Sequence, residues 1–172
     1  MADADLLFTA HRDGVFRYLS RIVGQVNATE LTQEVFLRVA RGPLPPADAG
    51  GRRAWIYSIA RNLALNHLRD DRRRGVTVEL EERPAPATQE LSTALAEALD
   101  RLAPLDRDVL LMREASGLTY EEIAAACELT ADSVRSRLHR ARLQLRAALE
   151  RPMRSHSAPL VRLYDRSRSD GR

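Results

Sequence analysis

The stretch 118–149, LTYEEIAAACELTADSVRSRLHRARLQLRAAL, decides the reading of this chain. Thr119, Tyr120, Glu121 and Glu122 have the Ser/Thr-x-x-Glu form of a capping box, which starts a helix by satisfying its first backbone N–H groups. The helix that follows, Ile123 to Cys127, is built of small residues that let a second helix approach closely. Leu129 bridges a short turn, and Thr130 is placed to cap the next helix. On that helix successive residues turn by about 100°, so Val134, Leu138, Ala141 and Leu145 form one apolar stripe. Arg135, Ser136, His139, Arg140 and Arg146 lie opposite or beside it. A fixed apolar back with a cationic, hydrogen-bonding front is what a reader of the DNA major groove needs. The spacing therefore predicts a helix-turn-helix.

Outward from this motif the composition points to helix throughout. The 172 residues are 44% hydrophobic, 30% charged and only 5% aromatic, with Ala, Leu, Arg and Glu dominant. No run of alternating β-branched residues suggests a strand. Every basic residue is arginine, and the arginines cluster at 69–74, at 135–146 and after 151, so local charge says more than the net +3. The single cysteine, Cys127, excludes an intramolecular disulfide and a multi-cysteine metal site, and no cofactor is expected. His11, His67, His139 and His156 are scattered without a carboxylate cluster, which argues against an enzyme. The start, Met1-Ala-Asp-Ala-Asp, lacks the basic and apolar segments of a signal peptide, and no apolar run approaches spanning length. A cytoplasmic protein without membrane insertion is the expectation.

Two helical blocks are predicted. In the first, helices are expected at about 5–23, 28–41 and 53–73, with Asn27 and Glu30 as a capping pair at the second. An irregular loop with three prolines and three glycines is expected at 42–51. Residues 76–90, with Glu79, Glu81, Glu82, Pro84 and Pro86, read as a solvated acidic linker. The second block, 91–151, is expected to hold helices at about 89–102 and 105–116 before the helix-turn-helix. The Ser/Arg-rich residues 152–172 read as disordered. The fold class is thus all-α, two small helical domains joined by a flexible acidic, proline-containing linker.

On the helix at 53–73, Ile56, Ile59, Ala60 and Leu63 make a core stripe. A second stripe combines Trp55, Ser58, Asn62, Asn66 and Arg69. Two readings are open: amides, an aromatic ring and a guanidinium that suit single-stranded DNA, or a core tryptophan flanked by solvated asparagines.

Three stretches resemble bacterial RNA polymerase sigma factors of the extracytoplasmic-function (ECF) type in the sigma-70 family. Residues 27–38, NATELTQEVFLR, are similar to the family's polymerase-binding helix. Residues 53–66, RAWIYSIARNLALN, are similar to its promoter-melting helix. Residues 105–124, LDRDVLLMREASGLTYEEIA, with 133–142, SVRSRLHRAR, are similar to its C-terminal DNA-binding domain. The resemblance implies a region 2-like domain at 1–75 that binds polymerase and melts the minus-ten element, and a region 4-like domain at 91–151 that reads the minus-thirty-five element. It implies that Glu30, Gln33, Glu34 and Leu37 dock on the polymerase β′ clamp helices, with a further contact to the β flap. It implies that Trp55, Ser58, Asn62, Asn66 and Arg69 meet the minus-ten strand. Arg135, Ser136, Arg137, His139 and Arg140 then meet the minus-thirty-five duplex, and an anti-sigma factor is an implied partner. The acidic linker would run through the polymerase interior. The sequence departs from the family in the loop at 42–53, which has no aromatic residue to hold a flipped base. The competing reading from the motif alone is a stand-alone helix-turn-helix regulator with two half-sites.

Overall fold

The computed structural model describes residues 2–43, 46, 48–74 and 86–150, and all its regular elements there are helices. They are α1 (Ala2–Arg41), α2 (Ala49–Arg74), α3 (Pro86–Asp100), α4 (Pro104–Glu114), α5 (Tyr120–Cys127) and α6 (Ala131–Glu150). Residues 76–85 of the expected linker and the 152–172 tail lie outside the described residues, as do Leu44, Pro45 and Ala47 of the proline-rich loop.

The first two expected helices are one element broken at a single residue. Gly24 has φ 80° and ψ 163°, a conformation that costs glycine little because it has no Cβ. Helix resumes at Gln25, so no separate start is needed at Ala28. Asn27 is not the cap that sequence suggested: its Nδ2 donates to the Val23 carbonyl at 3.0 Å, across the break. That bond occupies an acceptor released by the break.

α2 begins four residues before its expected start at Arg53. Asp48 is the reason, since its Oδ2 accepts from the Gly51 N–H at 2.5 Å, the side-chain bond of an N-cap. α3 likewise begins at Pro86, inside the stretch read as linker, with proline where a first-turn N–H is dispensable.

The helix-turn-helix follows the sequence closely. Thr119 Oγ1 accepts from Glu122 N at 3.1 Å, while Glu122 Oε2 accepts from Thr119 N at 2.7 Å. Glu128, at φ 57°, ends α5, and Thr130 Oγ1 caps α6 by accepting from Ser133 N at 3.2 Å. Val134, Leu138 and Ala141 are buried as the stripe required.

Packing joins the two blocks. Val15, Tyr18, Leu19 and Val23 of α1 pack with Ile56, Tyr57, Ala60 and Leu63 of α2. The same core continues through Val109 to Met112 of α4, Ile123 of α5 and Leu138 of α6. α5 lies against α2, and the rings of Tyr18 and Tyr57 meet edge to face at 5.7 Å.

Three buried side-chain atoms among the described residues, Thr32 Oγ1, His67 Nε2 and Arg107 Nε, lack a hydrogen-bond partner. The Thr32 hydroxyl has no hydrogen-bond partner among the described residues, although Thr32 is 6% exposed. Valine has nearly the same shape without the desolvated oxygen. Thr32→Val is therefore expected to stabilise the chain by about 1 kcal/mol, a rise of about 3 °C in a thermal melt. A lower melting temperature would show that the hydroxyl is satisfied.

Candidate nucleic-acid and polymerase interfaces

The helix-turn-helix presents a polar row on α6. Arg135, Ser136, His139 and Arg140 are exposed. Arg135 Nη1 pairs with Asp132 at 2.7 Å, and its guanidinium lies 5.9 Å from the Tyr120 ring centroid. Both contacts are at the surface, where such a pair contributes little and exchanges readily for a phosphate or base edge.

Arg137 differs from the other four. It flanks the buried stripe and its Nη1 donates to Asp106 Oδ1 of α4 at 2.6 Å. Asp106 is only 5% exposed, and Arg140 Nη2 stands 3.9 Å from the same oxygen. Arg137 is thus committed to holding α6 on α4, and the structure does not place it in the exposed row. Arg142 makes a similar but exposed bridge to Glu114 of α4 at 2.6 Å.

On α2, Asn62, Asn66 and Arg69 are exposed and spaced three or four residues apart, so they share one face. Trp55 is half-buried and packs at the edge of the core cluster. Ser58, also half-buried, donates its Oγ hydrogen to the Trp55 carbonyl at 2.7 Å, leaving the hydroxyl only as an acceptor. The stripe expected from sequence is therefore an exposed amide–guanidinium end and a half-buried aromatic end.

On the second half of α1, Glu30, Gln33 and Leu37 are exposed, with Leu37 45% exposed. Glu34 is half-buried and accepts from Arg38 Nε at 2.7 Å within the helix. An exposed leucine ringed by polar side chains suits a protein partner.

A set of residues that sequence reasoning passed over joins the halves. Asp108 of α4 is 4% exposed. It accepts from Arg61 Nε of α2 at 2.9 Å and from Tyr18 Oη of α1 at 3.4 Å. Burial pushes the Asp108 carboxyl above its ordinary range despite the facing Arg61. The only sequence signal was placement: Asp106 and Asp108 precede the wholly apolar run Val109 to Met112. Arg53 of α2 reaches the carbonyls of Ser116 and Gly117 and the carboxylate of Glu122. His11 faces the same junction, where burial, then the charge of Arg53, lowers its pKa from 6.5.

His11 makes the junction sensitive to acid. Folding favours its neutral form, so its contribution is complete above the unfolded value of 6.5 and is lost as pH falls below that value towards the lowered one. The melting temperature is expected to fall between about pH 7.5 and pH 5.5, and to fall less in His11→Gln. Equal acid sensitivity of the two proteins would exclude His11 as a source.

Among the described residues no group of three or more His, Cys, Asp or Glu could hold a metal ion, and no helix is long and apolar enough to cross a membrane. Burial raises the Cys127 thiol to about 11, the behaviour of a packed and unreactive side chain.

A helix-turn-helix with an exposed basic row, joined to a helical half with an exposed amide row, defines a two-module nucleic-acid-binding protein. Residues 7–74 match Sigma-70 region 2, and residues 92–145 match Sigma-70, region 4. The ECF RNA polymerase sigma factor SigE of Mycolicibacterium smegmatis is 36% identical over 162 residues, covering 85% of this chain and 61% of the relative. The ECF RNA polymerase sigma factor SigC of Mycobacterium tuberculosis is 31% identical over 153 residues, covering 82% of this chain and 80% of that protein. In fold, the chain is similar to the sigma factor RpoE of Bartonella quintana, solved in complex with the anti-sigma factor NepR. That likeness has a TM-score of 0.70 at 21% identity and covers 88% of this chain and 99% of that one. The chain belongs to the ECF sigma factors of the sigma-70 family. Because region 2 accounts for the first half, the stand-alone regulator reading is not favoured.

Proposed function

We propose that the protein is a sigma factor that binds RNA polymerase core in the cytoplasm and directs initiation at promoters by two separate grips. The observation that carries this reading is the pair of exposed rows on different halves: Asn62, Asn66 and Arg69 on α2, and Arg135, Ser136, His139 and Arg140 on α6. The α6 row reads the minus-thirty-five duplex, with arginines on guanine edges and phosphates. The α2 row takes the non-template strand of the minus-ten element, with Trp55 and Ser58 at its half-buried end. Glu30, Gln33, Glu34 and Leu37 dock on the β′ clamp helices, and the second half meets the β flap. The protein acts by binding and not by catalysis: affinity for unpaired bases offsets the cost of unstacking them. An anti-sigma protein is its regulatory partner, a reading supported by the fold shared with a sigma factor solved in such a complex.

A gel shift of promoter DNA with and without core polymerase tests the proposal. Specific complexes are expected only when core is present. Tight, specific binding by the chain alone, with two symmetric half-sites, would overturn it.

A further inference from the structure

Charge is divided unevenly along the chain. Residues 151–172 hold six of the 27 basic residues and two of the 24 acidic ones, which gives that segment +4 and leaves −1 for residues 1–150. A protein that grips duplex DNA draws most of its sequence-independent affinity from cations set against phosphates. The 150 residues that carry both proposed DNA rows supply no net positive charge for this.

On the helix proposed to read the duplex the shortfall is local as well. α6 has five arginines, and four of them face carboxylates. Arg135 pairs with Asp132 at 2.7 Å, Arg137 with Asp106 at 2.6 Å and Arg142 with Glu114 at 2.6 Å, while Arg140 stands 3.9 Å from Asp106. Such pairs cancel much of the field that would attract a polyanion. The fifth, Arg146, is exposed and lies seven residues beyond His139, about 20° short of two full turns. It therefore carries the face of the proposed duplex row towards the end of the helix. α6 ends at Glu150, and the sequence continues at once with Arg151 and Arg154.

Reach and chemistry suit the same target. Glu150 stands ten residues, about 15 Å, beyond Arg140 along α6. The 22 residues from 151 to 172 can span at most about 75 Å, the length of roughly 20 base pairs of duplex. Guanidinium forks match phosphate oxygens bidentately, and Ser155, Ser157, Ser167 and Ser169 add hydroxyl donors for the same oxygens. The segment lies beyond the region 4 match, which stops at residue 145, so the architecture shared with the family does not account for it.

We propose that residues 151–172 form a sequence-independent phosphate-binding arm, which holds the duplex flanking the minus-thirty-five element while α6 reads the base edges. The arm supplies the attraction that the rest of the chain, at −1, does not. Its placement beside the minus-thirty-five element rests on the two-grip reading above; its affinity for duplex DNA does not.

The first test needs only the full chain and a fluorescent duplex of about 30 base pairs without promoter elements, followed by anisotropy as salt is raised. Weak binding indifferent to sequence is expected. Replacing the six arginines of 151–172 by glutamine should lower the slope of log affinity against log salt by about 3 to 5, with the circular dichroism unchanged. A chain with residues 151–172 in shuffled order should bind as the wild type does, because only charge and reach are used. An unchanged salt slope in the glutamine variant, or loss of binding in the shuffled chain, would overturn the arm. The second test adds core polymerase. Promoter DNA extended upstream of the minus-thirty-five element by about 20 base pairs should be held more tightly than DNA ending there, and the glutamine variant should lose that gain. An equal gain in both proteins would contradict the placement, and weaker binding of the variant to core without DNA would give the arginines to polymerase instead. The first test uses no polymerase, so failure of the arm and failure of the sigma reading give different results.

Discussion

Replacing Asn62 and Asn66 together by alanine is expected to reduce open-complex formation by about a hundredfold. Both amides are exposed on one face of α2, where each can hold an unpaired base edge by a donor and an acceptor at once. At about 1.5 kcal/mol for each lost set of contacts, the two amount to about 3 kcal/mol, or roughly two decades. Alanine favours helix more than asparagine does, so the fold should be intact or slightly strengthened. The change can be followed with a fluorescent base in the minus-ten element, with circular dichroism as the control. Binding of the minus-thirty-five duplex should be unchanged, because the row proposed for it lies on α6. Wild-type melting by the double variant would remove the asparagines from the proposed site and return that face to the reading of a solvated surface.

The second large effect concerns stability. Arg137→Ala is expected to cost about 3 kcal/mol and lower the melting temperature by about 10 °C. The cost arises because Asp106, 5% exposed, would keep its charge without its 2.6 Å partner, while Arg140 at 3.9 Å compensates only in part. Asp106→Ala should cost less, since the guanidinium it leaves is 28% exposed and can reach water. The double variant should then be more stable than Arg137→Ala alone. Measured well below the melting temperature, minus-thirty-five binding should fall less for Arg137→Ala than for Arg140→Ala. The reverse order would restore Arg137 to the DNA-reading row, where its sequence position alone had put it.

That reassignment marks where sequence stops being informative. The helix-turn-helix was legible because its determinants are local: a capping box within four residues, a cap at Thr130 and a stripe of period 3.6. Arg137 was not, since its partner lies 31 residues away in sequence and the wheel places it at the border between stripe and front. The broken α1 shows a subtler limit. A glycine between two amphipathic stretches reads as the end of one helix, and only the structure shows that Gly24 turns the chain within one residue and that Asn27 spans the break. The early start of α2 was hidden because prolines and glycines suggest a loop, and the Asp48 cap stands among them.

The junction between the halves was the least legible feature. Tyr18, Arg53, Arg61 and Asp108 each sit on an ordinary amphipathic helix, and nothing local distinguishes a carboxylate aimed at solvent from one aimed at a helix 47 residues earlier in the chain. Composition suggested two helical domains on either side of an acidic, proline-containing segment, which the separate matches to regions 2 and 4 support, but it carried no sign that buried residues of the two pack into one cluster. The exposed rows proposed to meet DNA and polymerase were readable for the opposite reason. A surface that must meet a partner keeps its chemistry on one face of one helix, where spacing reveals it.

The claim that two grips in one chain deliver polymerase to promoters is tested most directly by run-off transcription with purified core, followed by mapping of the start sites. The prediction is core-dependent initiation at discrete positions, each preceded by the same pair of sequence elements at fixed spacing, and its loss when either the α2 row or the α6 row is replaced by alanine. Initiation that is indifferent to the protein, or that survives loss of one row unchanged, would contradict it.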